Sequence, residues 1–397
     1  MRILCAVLAL FLIASRGSAT VWRVERDGSG DFAVIQAAVD VAASGDTILV
    51  GAGRYDDKQL FGNPPWQQYV RILAVKPELT IIGAGATLTI VGPALPWTDV
   101  QDEDKGIYIT GDGQAAPPSL CVRGMRFENS GIGIHAETSA GTIRVHDCEF
   151  RGNTTSIASF CRSTEVTECR FLSLADSWGY HVNAIGQDSL RISSSVFELE
   201  SQPSHIKVLL NAQSTVLATI ADSEFRGGRL GASVSNGTRA EFRNCLFDGQ
   251  GLYGVAVNVA DVLMEDSVIR NQSSALFMTG PGGLWMLDRV SFANVRDATL
   301  EYGNLGGGYI RNCTLAKGSR FVVWDVNMYP VDGPTPITLD MANNWWGTSD
   351  PDSIRAWVYD SSDQPTRPYY YVQWNPYRSE PLAAQGKNLG DVKALYR

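Results

Sequence analysis

Val145-His146-Asp147-Cys148-Glu149-Phe150-Arg151-Gly152-Asn153 is the stretch from which the fold can be read. Its frame is an apolar residue, two residues, a small residue, one residue and a large apolar residue, filled here by Val145, Cys148 and Phe150. The frame opens at Val122, Met125, Phe127 and returns as Val166, Cys169, Phe171, then Ile192, Ser195, Phe197, then Ile220, Ser223, Phe225. Phe242, Cys245, Phe247 follow, then Met264, Ser267, Ile269, then Leu287, Val290, Phe292, and Ile310, Cys313, Leu315 close the run. A period of roughly 22 residues sustained over half a chain is the mark of stacked repeats. Period-two alternation slips by one residue between Val145 and Cys148, so the strand must bend there for both halves to face inward. The residue before the small one is Asp147, Glu168, Ser194, Asp222, Asn244, Asp266 or Asn312 in most copies. Asn, Asp and Ser suit a bend because their side chains bond the local backbone, and Asn and Asp also tolerate left-handed dihedrals.

Each frame is followed by a Gly or Asn turn and a second short strand, such as Gly131–Glu137, Gly179–Ile185, His205–Leu210, Gly231–Ser235, Gly254–Val259 and Phe321–Val326. Short strands punctuated by turn residues, with no 3.6-residue periodicity, predict an all-β chain folded as a right-handed parallel β-helix. About eleven coils at roughly 4.8 Å each give a rod on the order of 50 Å long. Its ends need covers. An N-terminal helix around Ile35–Val41, with Asp31 as N-cap, and the stretch after Asn343-Asn344-Trp345-Trp346-Gly347, with a short helix near Pro351–Val358, are the expected caps.

The remaining organisation follows from composition. Residues 1–19 carry Arg2, an apolar run from Ile3 to Ala14 and Gly17-Ser18-Ala19, which reads as a signal peptide cleaved near Ala19. The chain is therefore expected to be secreted, with no transmembrane segment, since the run is too short to span a bilayer. Residues 20–75 form the N-terminal cap and first coil, 76–348 the β-helix, and 349–397 a C-terminal cap and loose tail. The net charge of −9 argues against nucleic acid as a partner. Cys148, Cys169, Cys245 and Cys313 occupy the small position of the frame and read as small buried groups. Cys161 is the best placed for any disulfide.

Two groups of residues carry a resemblance. Asp27-Gly28-Ser29-Gly30-Asp31-Phe32, Ile35-Gln36-Ala37-Ala38-Val39-Asp40 and Gly45-Asp46-Thr47-Ile48-Leu49-Val50 resemble the N-terminal segment of pectinesterases and other proteins of the pectin-lyase-like superfamily. The likeness is close over 23–55 and looser through Tyr69–Val75 and Leu79–Gly85. Asn343–Gly347 is similar to the ending of many bacterial right-handed β-helix repeat proteins. The resemblance implies the fold. It does not carry the reaction, because the pectinesterase Gly-x-x-Asp-Phe-Ile-Phe-Gly and Arg-Pro-Trp segments and the polygalacturonase signatures are missing from this sequence. Gln187-Asp188 matches a pectinesterase dipeptide but reads as a turn.

Function is therefore sought where the coils differ. With the apolar residues of the second strands taken as inward, the outward neighbours are Gly133 and His135, His181 and Asn183, Lys207, Ser233, Ser235, Ala256, Asn258, Glu301 and Asp325. Stacked coils set these in a column suited to an extended polysaccharide. His135, Asn183 and Asn258 are candidate binders of sugar hydroxyls, and Trp324 is a platform for sugar rings. A lyase acting on a uronate polymer needs a base and a cation, for which Lys207 and His181 are the candidates. A hydrolase needs paired carboxylates, for which Glu301 and Asp325 are. Neither reading requires a cofactor. Asp99, Asp102 and Asp104 are candidate Ca2+ ligands, because hard oxygen donors crowd there. Two functions follow: a polysaccharide-binding surface without a catalytic signature, or a pectate- or uronate-lyase-like enzyme.

Overall fold

The computed structural model describes residues 19–381 apart from 65–66, 97–103, 112–113, 115, 174–178, 200–206, 281, 304–306, 316, 327–336 and 365–369. It is an all-β, right-handed parallel solenoid of about 12 turns, one more than the repeat count predicts. Three parallel sheets run its length, with 14, 10 and 13 strands. One coil shows how the frame builds them. Thr142–His146 lies in the first sheet, Glu149–Arg151 in the second and Thr155–Ser159 in the third. The frame is therefore a first-sheet strand, a bend and a second-sheet strand, and the second strand of the sequence reading is the third sheet.

The bend is as the residues before the small position predict. All nine hold φ between 50° and 64°: Gly124, Asp147, Glu168, Ser194, Asp222, Asn244, Asp266, Arg289 and Asn312. Short polar side chains tolerate that region. At these positions the side chains also bond the neighbouring coil: Asn244 Nδ2 donates to Asp222 Oδ1 (2.6 Å) and Arg289 Nε to Asp266 Oδ1 (2.7 Å).

The small position is more than a filler. The N–H of Cys169 donates to Ser195 Oγ (3.1 Å), that of Ser195 to Ser223 Oγ (3.2 Å), and that of Cys245 to Ser267 Oγ (3.1 Å). At these bends a backbone donor turns inward, and the next coil's serine accepts it. The six described cysteines, Cys161 included, are unpaired thiols. Burial pushes Cys245 and Cys313 up to about 12, so they stay protonated and serve packing.

The large apolar position forms a ladder of rings. Phe127, Phe150, Phe171, Phe197, Phe225 and Phe247 stack with centroids 4.5 to 5.2 Å apart and planes within 19° of parallel. Their spacing is that of the strands that carry them.

The N-terminal helix, Ile35–Val41, buries Ile35, Ala38 and Val39. Its N-cap is Val34, without a side-chain bond, and not Asp31, which accepts instead from the Arg23 N–H (2.8 Å). The C-terminal helix, Pro351–Ala356, is capped by Asp350, which accepts from Asp352 N and Ser353 N. The strand Gln59–Phe61 pairs antiparallel with Gln68–Ala74. No helix among the described residues is long and apolar enough to cross a membrane. The signal-peptide reading falls on residues 1–19, of which only Ala19 is among the described residues.

Candidate functional site on the third sheet

The outer faces of the three sheets differ in chemistry. The first carries ion pairs, from coil to coil in Arg144–Glu165 (3.5 Å) and Arg243–Glu265 (3.6 Å) and within one strand in Arg239–Glu241 (3.1 Å). The second does the same with Arg126–Glu149 (3.0 Å), Arg170–Glu198 (3.2 Å) and Arg270–Asp248 (2.8 Å). Such exposed pairs contribute at most about 1 kcal/mol each and keep a face solvated. The third sheet presents a different column. In strand register it runs Tyr108, His135, Ala158, Asn183, Asn211, Ser233, Ala256, Phe277, Glu301 and Trp324. Its middle is small and uncharged, and its two ends are aromatic.

The middle is ordered by side-chain amides. Asn211 Nδ2 donates to Asn183 Oδ1 at 2.8 Å, which leaves one N–H of Asn211 and both of Asn183 for a ligand. At the N-terminal end Tyr108 Oη donates to Glu137 Oε1 (2.9 Å), and His135 Nε2 lies 3.0 Å from the same oxygen. The nearby His135 ring foremost, and the Tyr108 hydroxyl, hold the Glu137 carboxyl below its ordinary range. Phe61 and Phe160 flank this group, 5.4 Å from the Tyr108 ring and 5.6 Å from the His135 ring. At the other end Tyr253 stacks on Phe277 (4.8 Å, 17°) and donates to Glu301 Oε2 (3.0 Å). Burial, then the Glu301 charge, pushes the Tyr253 phenol up, so it remains a donor.

His135, Asn183, Glu301 and Trp324 thus lie on the outer column as expected, and Asn258 lies exposed beside it, at the turn toward the first sheet. Three expectations are corrected. His181 points inward. It is fully buried, between Ser156 Oγ (3.2 Å from Nδ1) and Ser173 Oγ (3.3 Å from Nε2), and close to the rings of Phe171 and Phe197. Burial and nearby Lys207 press its pKa well down, so it is neutral. The alternation slips here because two successive positions face the interior. The coil before carries Ser156 at this position and the coil after carries the buried Leu209, with Gly231 and Gly254 in the two coils beyond, where a Cβ on Gly231 would lie 2.5 Å from Phe247 Cδ1.

Lys207 is also fully buried. Its Nζ donates to the carbonyls of Asn153 (3.1 Å) and Thr154 (3.0 Å), and burial lowers its pKa to about 7. Asp325 stands in register with the core residue Tyr302, whereas Glu301 stands in register with Trp324. The two carboxylates occupy opposite sides of the sheet and do not form a hydrolytic pair.

Of the Ca2+ candidates, Asp99 and Asp102 lie outside the described residues. Asp104 is buried and accepts at both oxygens from Arg71 Nη1 (2.9 Å each), while Nη2 of the same guanidinium lies 2.7 Å from Asp56 Oδ1. Its charge is met by a guanidinium. Among the described residues no three His, Cys, Asp or Glu side chains gather as metal ligands. Tyr108, Glu137, Asn211, Tyr253 and Phe277 were not anticipated. Counting register from His135 and Asn183 through the repeat would have found Asn211 and Phe277.

Fold and repeat define a right-handed parallel β-helix protein. The family described as "Right handed beta helix region" matches residues 206–325. Among solved structures, the chain is similar to the A-module of an Azotobacter vinelandii mannuronan C-5 epimerase, at 14% identity over 88% of this chain and 95% of that one, with a TM-score of 0.43. It is also similar to a PL6 family alginate lyase, at 13% identity over 83% of this chain, with a TM-score of 0.38, and spans 40% of that protein's length. A carrot pectin methylesterase shares 12% identity over 89% of this chain and 88% of its own, with a TM-score of 0.25. No curated protein matches the sequence.

Proposed function

We propose that the outer face of the third sheet binds a polysaccharide chain laid along the solenoid axis, in a protein exported by its N-terminal segment. The observation that carries this is the contrast among the faces. Two are laced with ion pairs, and the third offers amides and a hydroxyl between aromatic ends. Amides donate and accept toward sugar hydroxyls, and ring faces stack on sugar rings. The test is affinity electrophoresis of the protein in gels containing neutral, acidic or amino polysaccharides. Trp324→Ala and Asn183→Ala weaken binding by about tenfold or more each, a change of about 1.4 kcal/mol, whereas Arg191→Ala, on the first sheet, leaves it unchanged. Retardation by no polymer, or equal loss in Arg191→Ala, removes the reading.

One observation favours a second reading, a polysaccharide-active enzyme of lyase type. Tyr108 and His135 converge on one oxygen of Glu137, which sets two proton-transferring groups on the face where a chain would lie. In this reading they take the roles first assigned to Lys207 and His181. New unsaturated ends released by the wild type, and lost in Tyr108→Phe and His135→Ala, support it. Binding without product leaves the first reading alone.

A further inference from the structure

One carboxylate on the proposed binding face is almost closed off from water and has no ion-pair partner among the described residues. Glu301 is 8% exposed. Its Oε2 accepts from Tyr253 Oη at 3.0 Å and its Oε1 from Ser274 Oγ. Two hydroxyls satisfy lone pairs but leave the negative charge uncompensated. On the other faces carboxylates meet an arginine, as Asp248 meets Arg270 (2.8 Å), but among the described residues no cation is ion-paired with Glu301. Arg320 sets its guanidinium 5.0 Å from the Trp324 ring centroid and not on the carboxylate. Asp297, whose charge also acts on the Tyr253 phenol, adds to the negative field, and Arg229 acts there in the opposite sense.

The neighbours in register are Phe277 on one side and Trp324 on the other, one strand away each. Aromatic faces attract cations, and Arg320 already uses Trp324 in this way. A carboxylate set between rings favours an ammonium group and repels a uronate. The chain's net charge of −9 acts in the same direction.

Resting on the polysaccharide-binding reading above, we propose that this end of the face selects a polymer carrying free ammonium groups. One amino sugar sits between Phe277 and Trp324 with its ammonium on Glu301. The experiment is calorimetric titration of the full chain with three oligosaccharides of equal length: glucosamine units, their N-acetylated counterparts, and uronate units. The wild type binds the glucosamine oligomer at least about tenfold more tightly than the acetylated one. Glu301→Gln, which keeps the shape and an acceptor for Tyr253, abolishes that difference and leaves the acetylated oligomer's affinity as it was. Equal wild-type affinity for the two oligomers, preference for the uronate, or a preference that survives in Glu301→Gln overturns the proposal and leaves the binding face standing. The comparison within the wild type holds even if the variant does not fold. Failure of all three sugars to bind overturns both readings.

Discussion

Replacing Lys207 by Met decides whether that amine is a buried structural group or a base open to substrate. The unfolded chain holds the Lys207 proton up to about 10.5, whereas the folded chain holds it only to about 7, because burial disfavours the ammonium. Between those values unfolding takes up a proton, so this residue's contribution makes stability rise with pH from about 7 and level off near 10.5. The gap of about 3.5 pH units, at about 1.36 kcal/mol each, amounts to about 5 kcal/mol across the window. Met has a similar length and no proton, so the variant lacks this slope. It also leaves the Asn153 and Thr154 carbonyls without the amine, at about 1–3 kcal/mol for each buried group left unpaired. At pH 7 the two effects nearly cancel, and at pH 10 the variant is the less stable protein. Urea unfolding of both proteins, followed by circular dichroism between pH 7 and 10, measures this directly. Groups other than Lys207 contribute to both proteins and drop out of the difference. Parallel curves would refute the reasoning: the amine would then be hydrated in the folded state and available for chemistry.

Other substitutions probe the remaining parts of the rod. Phe197→Ala removes a fully buried ring stacked 4.5 Å from Phe171 and 4.6 Å from Phe225, and is expected to cost about 3–5 kcal/mol in denaturant unfolding. Gly231→Ala drives a methyl against Phe247 and the Gly254 carbonyl, each 2.5 Å from the built Cβ, and should cost about 1–3 kcal/mol by the same assay. Arg71→Met strands the buried Asp104 carboxylate and should cost about 3–5 kcal/mol in the same unfolding assay.

The frame seen at Val145, Cys148 and Phe150 made the coil legible, because two strands of every coil meet at one bend whose chemistry is local. A residue at φ near 50° must be Gly or a side chain that tolerates the left-handed region, and Asp147 and Asn244 announce this in the sequence. Arg289 adopts the same φ without announcing it, held by its bonds to Asp266. The third sheet was half legible. His135 and Asn183 fell on the outward column because alternation holds there. His181 did not, because two consecutive residues turn inward to meet the phenylalanine ladder, and period-two counting carries no sign of that slip. Asp325 was misplaced for a related reason: its polarity argued for the outer face, but its register with Tyr302 puts it inside. Lys207 stands just before the strand Val208–Gln213, where period-two counting along the strand no longer fixes which way a side chain faces.

The bonds between successive small positions give the rod a direction. Along this stretch a coil hands its bend N–H to the side chain of the coil after it, from Cys169 to Ser195 to Ser223. The unit of length change is therefore a whole coil. A serine-bearing coil spliced in between Cys169 and Ser223 receives one donor and passes one on, so the array can grow or shrink there with those bonds kept. The last coil has no successor of its kind, and Asn344 takes the Cys313 N–H at 2.8 Å in place of one. Truncation before Asn344 would leave that donor bare at the rod's end, whereas duplication of an interior coil would lengthen the third-sheet face by one strand spacing.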